Sequence, residues 1–239
     1  MGLSRYSIGL DFGTESARAV LVAVATGRVA ASTVFEYPDG VIDQNLPGTD
    51  QTLPPDWALQ NPADWLRAVE VIVPTALREG GVAPEEVVGI GVDFTSCTIL
   101  PTTANGTPLC QIEGWRDQPH AWPKLWKHHA AQPQADKVNR LALERGEHFI
   151  QRYGGKISSE WLIPKTLQIL EEAPEAYDAA ACIIEGGDWV VWQLTGNERR
   201  NACAAGYKAC WEKGIGYPSP QFLAALHPQL GRLMADKLS

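Results

Sequence analysis

The chain has 239 residues, 45% of them hydrophobic and 20% charged, with a formal net charge of −8 and nine tryptophans, enough for one large globular domain or two small ones. The acidic balance argues against a nucleic-acid partner, which would call for a basic face, and no apolar run reaches the ~18 residues of a membrane-spanning helix. The five cysteines, Cys97, Cys110, Cys182, Cys203 and Cys210, contain no C-x-x-C pair, so zinc and dithiol chemistry have little support, and reduced thiols point to a cytoplasmic protein.

The N-terminus carries no apolar signal core. Gly2 opens a near-match to a myristoylation signal, but Tyr6 stands where serine or threonine is wanted. Three strands come first, at 8–12, 18–24 and 29–37, and Thr26-Gly27 supplies a tight turn for a meander. Residues 38–60 carry Pro, Gly, Asp and Asn without periodicity, which predicts a long surface loop of the functional or mobile kind. Asn61-Pro62 then reads as a helix cap followed by a first-turn proline. The helix runs to Gly80-Gly81, with a kink expected at Pro74.

The segment 87–92 repeats the opening theme of an apolar strand that ends in an aspartate, Asp93, followed by small hydroxylated residues. Asn105-Gly106-Thr107 fits a glycosylation sequon but reads better as a hairpin turn. Helices are expected at 133–145, 158–172, 187–194 and 219–226, with a short strand at 181–184. Strands interspersed with helices make the fold class α/β. There is no internal repeat.

The sharpest local feature is Asp11 in "GLDFGTES". A P-loop is absent, because Ile157 follows Gly-Lys in "RYGGKISS", and the G-x-G-x-x-G fingerprint is absent too. What remains is D-x-G-T-x-S between two strands. Gly13 lets backbone approach a ligand, successive amides of a tight turn form an anion-binding concavity, and Thr14 and Ser16 add hydroxyl donors. A carboxylate beside phosphates repels them unless Mg²⁺ lies between, so Asp11 suits a magnesium partner. The plainer reading is that Asp11 caps a turn.

The block "GIGVDFTSCTILP", residues 89–101, resembles the sugar-contacting strand and loop of the FGGY carbohydrate kinases. "LWKHHAA" at 125–131, "YGGKISSEW" at 153–161, "EGGDWVVWQLTG" at 185–196 and "CAAGYKACW" at 203–211 resemble blocks of the ribulokinase branch, in the family's order. The resemblance implies an RNase H-like, actin-like kinase lobe with a mixed sheet flanked by helices, spanning 1–239. The family's second lobe, which holds the adenine pocket and the aspartate base, has no counterpart here, so no catalytic base is carried over.

The implied reaction is transfer of the ATP γ-phosphoryl group to L-ribulose, with Mg²⁺ and ATP as cofactors. Asp11, Gly13, Thr14 and Ser16 would serve the nucleotide, and Asp11 the metal. Ser96, Lys208, Asp93 and Trp126 would serve the sugar. Read alone, Lys208 is a solvated lysine and Ser96 a turn residue. The adjacent His128 and His129 face different ways on a helix and suit surface hydrogen bonding or capping better than a metal. Trp126 and Trp161 read as core or pocket wall, and Trp189 and Trp192 as packing. Three alternatives stay open: a lobe for another pentulose such as D-ribulose or xylulose, a sugar-binding module without catalysis, and a nucleotide-binding member of the actin-like ATPases that takes no sugar. A homo-oligomer is possible for the complete enzyme.

Overall fold

In the computed structural model, which describes residues 5–238, the opening strands β1 (Tyr6–Phe12), β2 (Ser16–Ala23) and β3 (Val29–Glu36) form the antiparallel meander that the turn signal called for. Gly27 turns the second corner at φ 70°, its amide bonded to the Ala23 carbonyl at 2.8 Å. The reading made at Gly2 lies outside the described residues. The chain divides into two compact units, one within Met1–Val41 and Asn61–Thr95, the other within Ile42–Gln60 and Ser96–Ser239.

The first unit is completed by α1 (Pro62–Gly80) and β4 (Val87–Phe94). Its sheet runs β3-β2-β1-β4, and β4 is parallel to β1, a pairing that needs a crossover between the two strands. Helix α1 is bounded as the sequence predicts. The Asn61 side chain accepts the Ala63 amide at 3.0 Å, and Gly81 closes the far end at φ 63°. The helix continues through Pro74 rather than ending there.

Alternation decides the faces of this sheet. Ile8, Leu10, Phe12, Ala17, Ala19 and Leu21 are buried, as are Trp65, Ala68, Ile72 and Ala76 of α1. Trp65 meets Phe94 edge-on at 4.9 Å, and Phe94 stacks on Phe12 at 5.5 Å. The intervening positions Gly9, Asp11 and Arg18 therefore fall on the opposite face.

The second unit has a small antiparallel pair, β5 (Ile99–Thr102) with β6 (Cys182–Glu185). Its helices are α2 (Gln132–Arg145), α3 (His148–Gln151), α4 (Leu162–Glu172), α5 (Pro174–Ala179), α6 (Gly186–Thr195), α7 (Ala202–Lys208), α8 (Pro220–Leu226) and α9 (Leu233–Lys237). Helix α4 starts four residues later than expected, after a turn that bonds the Trp161 amide to the Ser158 carbonyl at 3.2 Å. The turn around Gly106 forms, with its amide bonded to the Thr103 carbonyl. Trp189 is buried, and its indole N–H donates to the Gly106 carbonyl at 2.7 Å.

Two expectations are corrected in this unit. The segment 38–60 is a loop without helix or strand and exposes most of its polar residues, but it does not lie wholly on the surface. Ile42, Leu46, Leu53, Trp57 and Leu59 are buried in the core, and backbone pairs tie Ile42 to Leu59 in both directions. Irregular spacing hid an apolar plug whose partners lie far along the chain. His128 is not a surface residue either. It is fully buried, its Nδ1 accepts the Ala58 amide at 3.3 Å, and its Nε2 lies 2.8 Å from Gln168 Oε1. An acceptor at Nδ1 fixes the neutral tautomer with its proton on Nε2, donated to the Gln168 oxygen. Burial, then the charges of Lys124 and Lys165, push His128 well down from the usual histidine range.

Candidate functional site

In the first unit the β1–β2 hairpin closes on itself through Gly13, whose amide bonds the Ser16 carbonyl at 2.9 Å. A Cβ at Gly13 would stand 3.1 Å from that carbonyl, so glycine is what allows so tight a closure. Thr14 and Ser16 are half-buried at the tip. Asp11 is not desolvated: its side chain is 51% exposed, and Arg18 of β2 bonds its Oδ2 at 3.1 Å. The apolar strand β1 can carry this carboxylate because the charge sits on the face away from α1.

Asp93 stands directly beside Asp11, in register across β1 and β4. The same register pairs Gly9 with Gly91. Without side chains at those two positions the sheet face dips into a cavity of about 470 Å³, lined by Gly9, Asp11, Arg18, Val20, Gly91 and Asp93. Two carboxylates and a guanidinium thus border a trough floored by glycines. Mg²⁺ takes one or two carboxylates and completes its shell with waters and phosphate oxygens, so this donor set fits that ion. Among the described residues no group of three or more His, Cys, Asp or Glu side chains is gathered for a metal. Asp93, grouped with the sugar contacts in the sequence, lies with the hairpin.

In the second unit the remaining candidates gather around a lysine that sequence reasoning missed. Lys165, on α4, is fully buried and donates to the carbonyls of Cys97 (2.6 Å), Leu125 (2.7 Å) and Lys124 (3.1 Å). Ser96 precedes Cys97, and Trp126 follows Leu125. Lys208 ends α7, with its ammonium 5.6 Å from the Trp161 ring and 4.4 Å from the Tyr207 ring. Its charge is felt at Cys97, Lys165 and Glu185.

Tyr153 packs edge-on against Trp161 at 4.7 Å and donates to the Gly206 carbonyl at 2.5 Å, which fixes α7 against the segment 153–161. Residues from all five of the blocks singled out in the sequence thus meet here: Cys97, Leu125, Trp161, Glu185 and Lys208.

The electrostatics of this cluster follow from burial. Glu185 is 6% exposed. Burial pushes its carboxyl up from the usual carboxylate range, against the pull of Lys165. Burial pulls Lys165 down from the usual lysine range and raises the Cys97 thiol. Glu185 Oε1 has no hydrogen-bond partner among the described residues. A cluster offering an ammonium, a hydroxyl, an unmet carboxyl oxygen and aromatic walls suits a small neutral polyol. The signal that could have found Lys165 was one charge inside the apolar run "WLIPKTLQIL".

Comparison with known proteins agrees with these blocks. Residues 6–209 match the N-terminal domain of the FGGY family of carbohydrate kinases. Proteins named ribulokinase are similar along nearly the whole chain. That of Bacillus licheniformis is 55% identical over 224 residues, 94% of this chain and 41% of the relative. That of Mycolicibacterium smegmatis is 51% identical over 238 residues, 99% of this chain and 42% of the relative.

The chain therefore spans about two fifths of the relatives it matches. In fold it is similar to a ligand-bound xylulose kinase from Lactobacillus acidophilus, with TM-score 0.68 and 18% identity over 93% of this chain and 40% of that one. A gluconate kinase from the same organism gives TM-score 0.69 and 17% identity over the same shares. With its hairpin, its sheet and its five blocks accounted for, the chain belongs to the FGGY family of carbohydrate kinases.

Proposed function

We propose that the chain is the N-terminal lobe of an L-ribulokinase of L-arabinose catabolism, a cytoplasmic enzyme that converts L-ribulose and ATP to L-ribulose 5-phosphate and ADP. The supporting observation is that about half of the residues are identical to those of several proteins named ribulokinase along nearly the entire chain. In such a transfer the bond between the γ-phosphorus and the β–γ bridging oxygen breaks, and a bond from the sugar's terminal oxygen to that phosphorus forms. The proton of that hydroxyl leaves to a base outside this chain.

Positioning and electrostatics dominate phosphoryl transfer, and the residues here suit both. The hairpin amides and the hydroxyls of Thr14 and Ser16 would cradle phosphate oxygens. Asp11, with Asp93 beside it, would hold Mg²⁺, which when bound neutralises charge on the phosphate tail. Lys208 and Ser96 would bond sugar hydroxyls, with Trp126 as pocket wall.

Calorimetry of the chain with L-ribulose, D-ribulose, D-xylulose and Mg-ATP tests this reading. The expected result is preferential binding of L-ribulose, with no ADP formed when sugar and nucleotide are present together. Preference for another pentulose would reassign the substrate. Turnover by the chain alone would overturn the statement that the base lies outside it.

A further inference from the structure

Cys97 is one of three non-glycine residues with positive φ in the described chain, at 73°. A side chain in the left-handed region carries strain that surrounding contacts must override. Cys97 follows Ser96, and it is 1% exposed, in a stretch without helix or strand of its own. Its carbonyl would be a buried orphan, because regular structure does not take it up. The Lys165 ammonium takes it at 2.6 Å, and the same nitrogen takes the carbonyls of Leu125 and Lys124.

An ammonium has three protons to donate, and here each has a backbone carbonyl. Two strands of chain that are distant in sequence are thereby tied to one point on α4. The tie is not a generic core contact. An apolar side chain of similar length would fill the space but leave the buried Cys97 carbonyl without a donor, whereas the Lys124 and Leu125 carbonyls would keep the amides of Ile99 and His128. Across Cys97 from Lys165 stands Glu185, whose carboxyl the Cys97 N–H faces. The peptide units on both sides of the strained residue thus face ionisable partners.

We propose that Lys165 is a positioning residue of the sugar side. By holding the Cys97 and Leu125 carbonyls it fixes the Ser96 hydroxyl and the Trp126 ring at the separation the substrate requires. The role as a sugar contact rests on the pentulose reading above, whereas the tie itself does not. Lys165 touches no substrate in this scheme and acts through Ser96 and Trp126.

The test uses the five free thiols as built-in reporters. The 239-residue chain and its Lys165→Met variant are treated with iodoacetamide, and alkylation is followed cysteine by cysteine by peptide mass spectrometry. Cys203, which is exposed, reports reagent activity, and Cys110 and Cys210, which are buried, report the core. The expected result is at least a tenfold faster reaction at Cys97 with Cys110 and Cys210 unchanged. L-ribulose affinity falls at least tenfold and Mg-ATP affinity is retained.

Lys165→Arg, which keeps charge and donors, should restore slow labelling in part. If Lys165→Met does not fold, Lys165→Gln, with a shorter donor, replaces it. An unchanged Cys97 rate overturns the proposal, and so does equal acceleration at Cys97, Cys110 and Cys210, which would make Lys165 a support of the whole core. If Cys97 is released but the unaltered chain ignores L-ribulose, the tie stands and the pentulose reading falls.

Discussion

Asp11 and Lys208 carry separate parts of the proposed chemistry, and substitution should separate them. In the complete kinase Asp11→Asn should lower turnover by roughly 100-fold, the scale on which removing one preorganised electrostatic partner acts, while the sugar KM stays near its original value. Equal loss of both would assign Asp11 a folding role. Lys208→Ala should weaken L-ribulose binding about tenfold, as expected for a hydrogen bond to a charged group, with nucleotide affinity retained; an unmoved sugar affinity returns Lys208 to the surface.

Residues of this kind were legible because their signal is local: an aspartate, a glycine and hydroxyls within six positions, or a lysine inside a recognisable block. Lys165, Glu185 and His128 were not. Their roles come from partners tens of residues away, such as Cys97 for Lys165 and Ala58 for His128. Nothing in the neighbouring sequence announces a carbonyl that needs a donor.

At the scale of elements, boundaries written by capping chemistry were readable and irregular packing was not. Helix α1 begins and ends where Asn61-Pro62 and Gly80-Gly81 place it. Asn61→Ala should therefore cost about 1 kcal/mol, read as a lower urea midpoint with an unchanged slope. No loss would mean that the α1 packing of Trp65 and Ile72 alone sets the helix start. The short α7, capped by Asn201 through the Cys203 amide at 2.8 Å, carries Lys208 yet escaped notice. Seven residues are too few to show a helical period. The segment 42–60 has no period at all, and composition alone could not say that its apolar side chains face inward.

For the whole molecule, buried neutral histidines set an acid limit on stability. Burial and the Lys124 charge push His120 down to about 4, against the pull of Glu172, whose Oε2 lies 3.3 Å away. Unfolded, the same imidazole titrates near 6.5. Between those values the unfolded chain binds the extra proton, so stability falls as pH drops from about 6.5 towards 4 and is flat above. The loss from His120 alone would be up to about 3 kcal/mol, and His128 acts in the same direction. Urea midpoints at pH 7.5 and 5 should differ accordingly, and His120→Gln should narrow the gap. A flat profile would show that His120 titrates normally in the folded chain.

The plug formed by Ile42–Gln60 has a consequence for how such a chain is made. The backbone passes between units at Val41/Ile42, Gln60/Asn61 and Thr95/Ser96, so neither unit is one uninterrupted stretch of gene. During synthesis Leu46, Leu53, Trp57 and Leu59 leave the ribosome well before α4, and at roughly 5–20 residues per second they wait several seconds for the residues that will cover them. Any excised piece ending at Thr95 keeps those greasy side chains without their cover, so it should precipitate or recruit a chaperone.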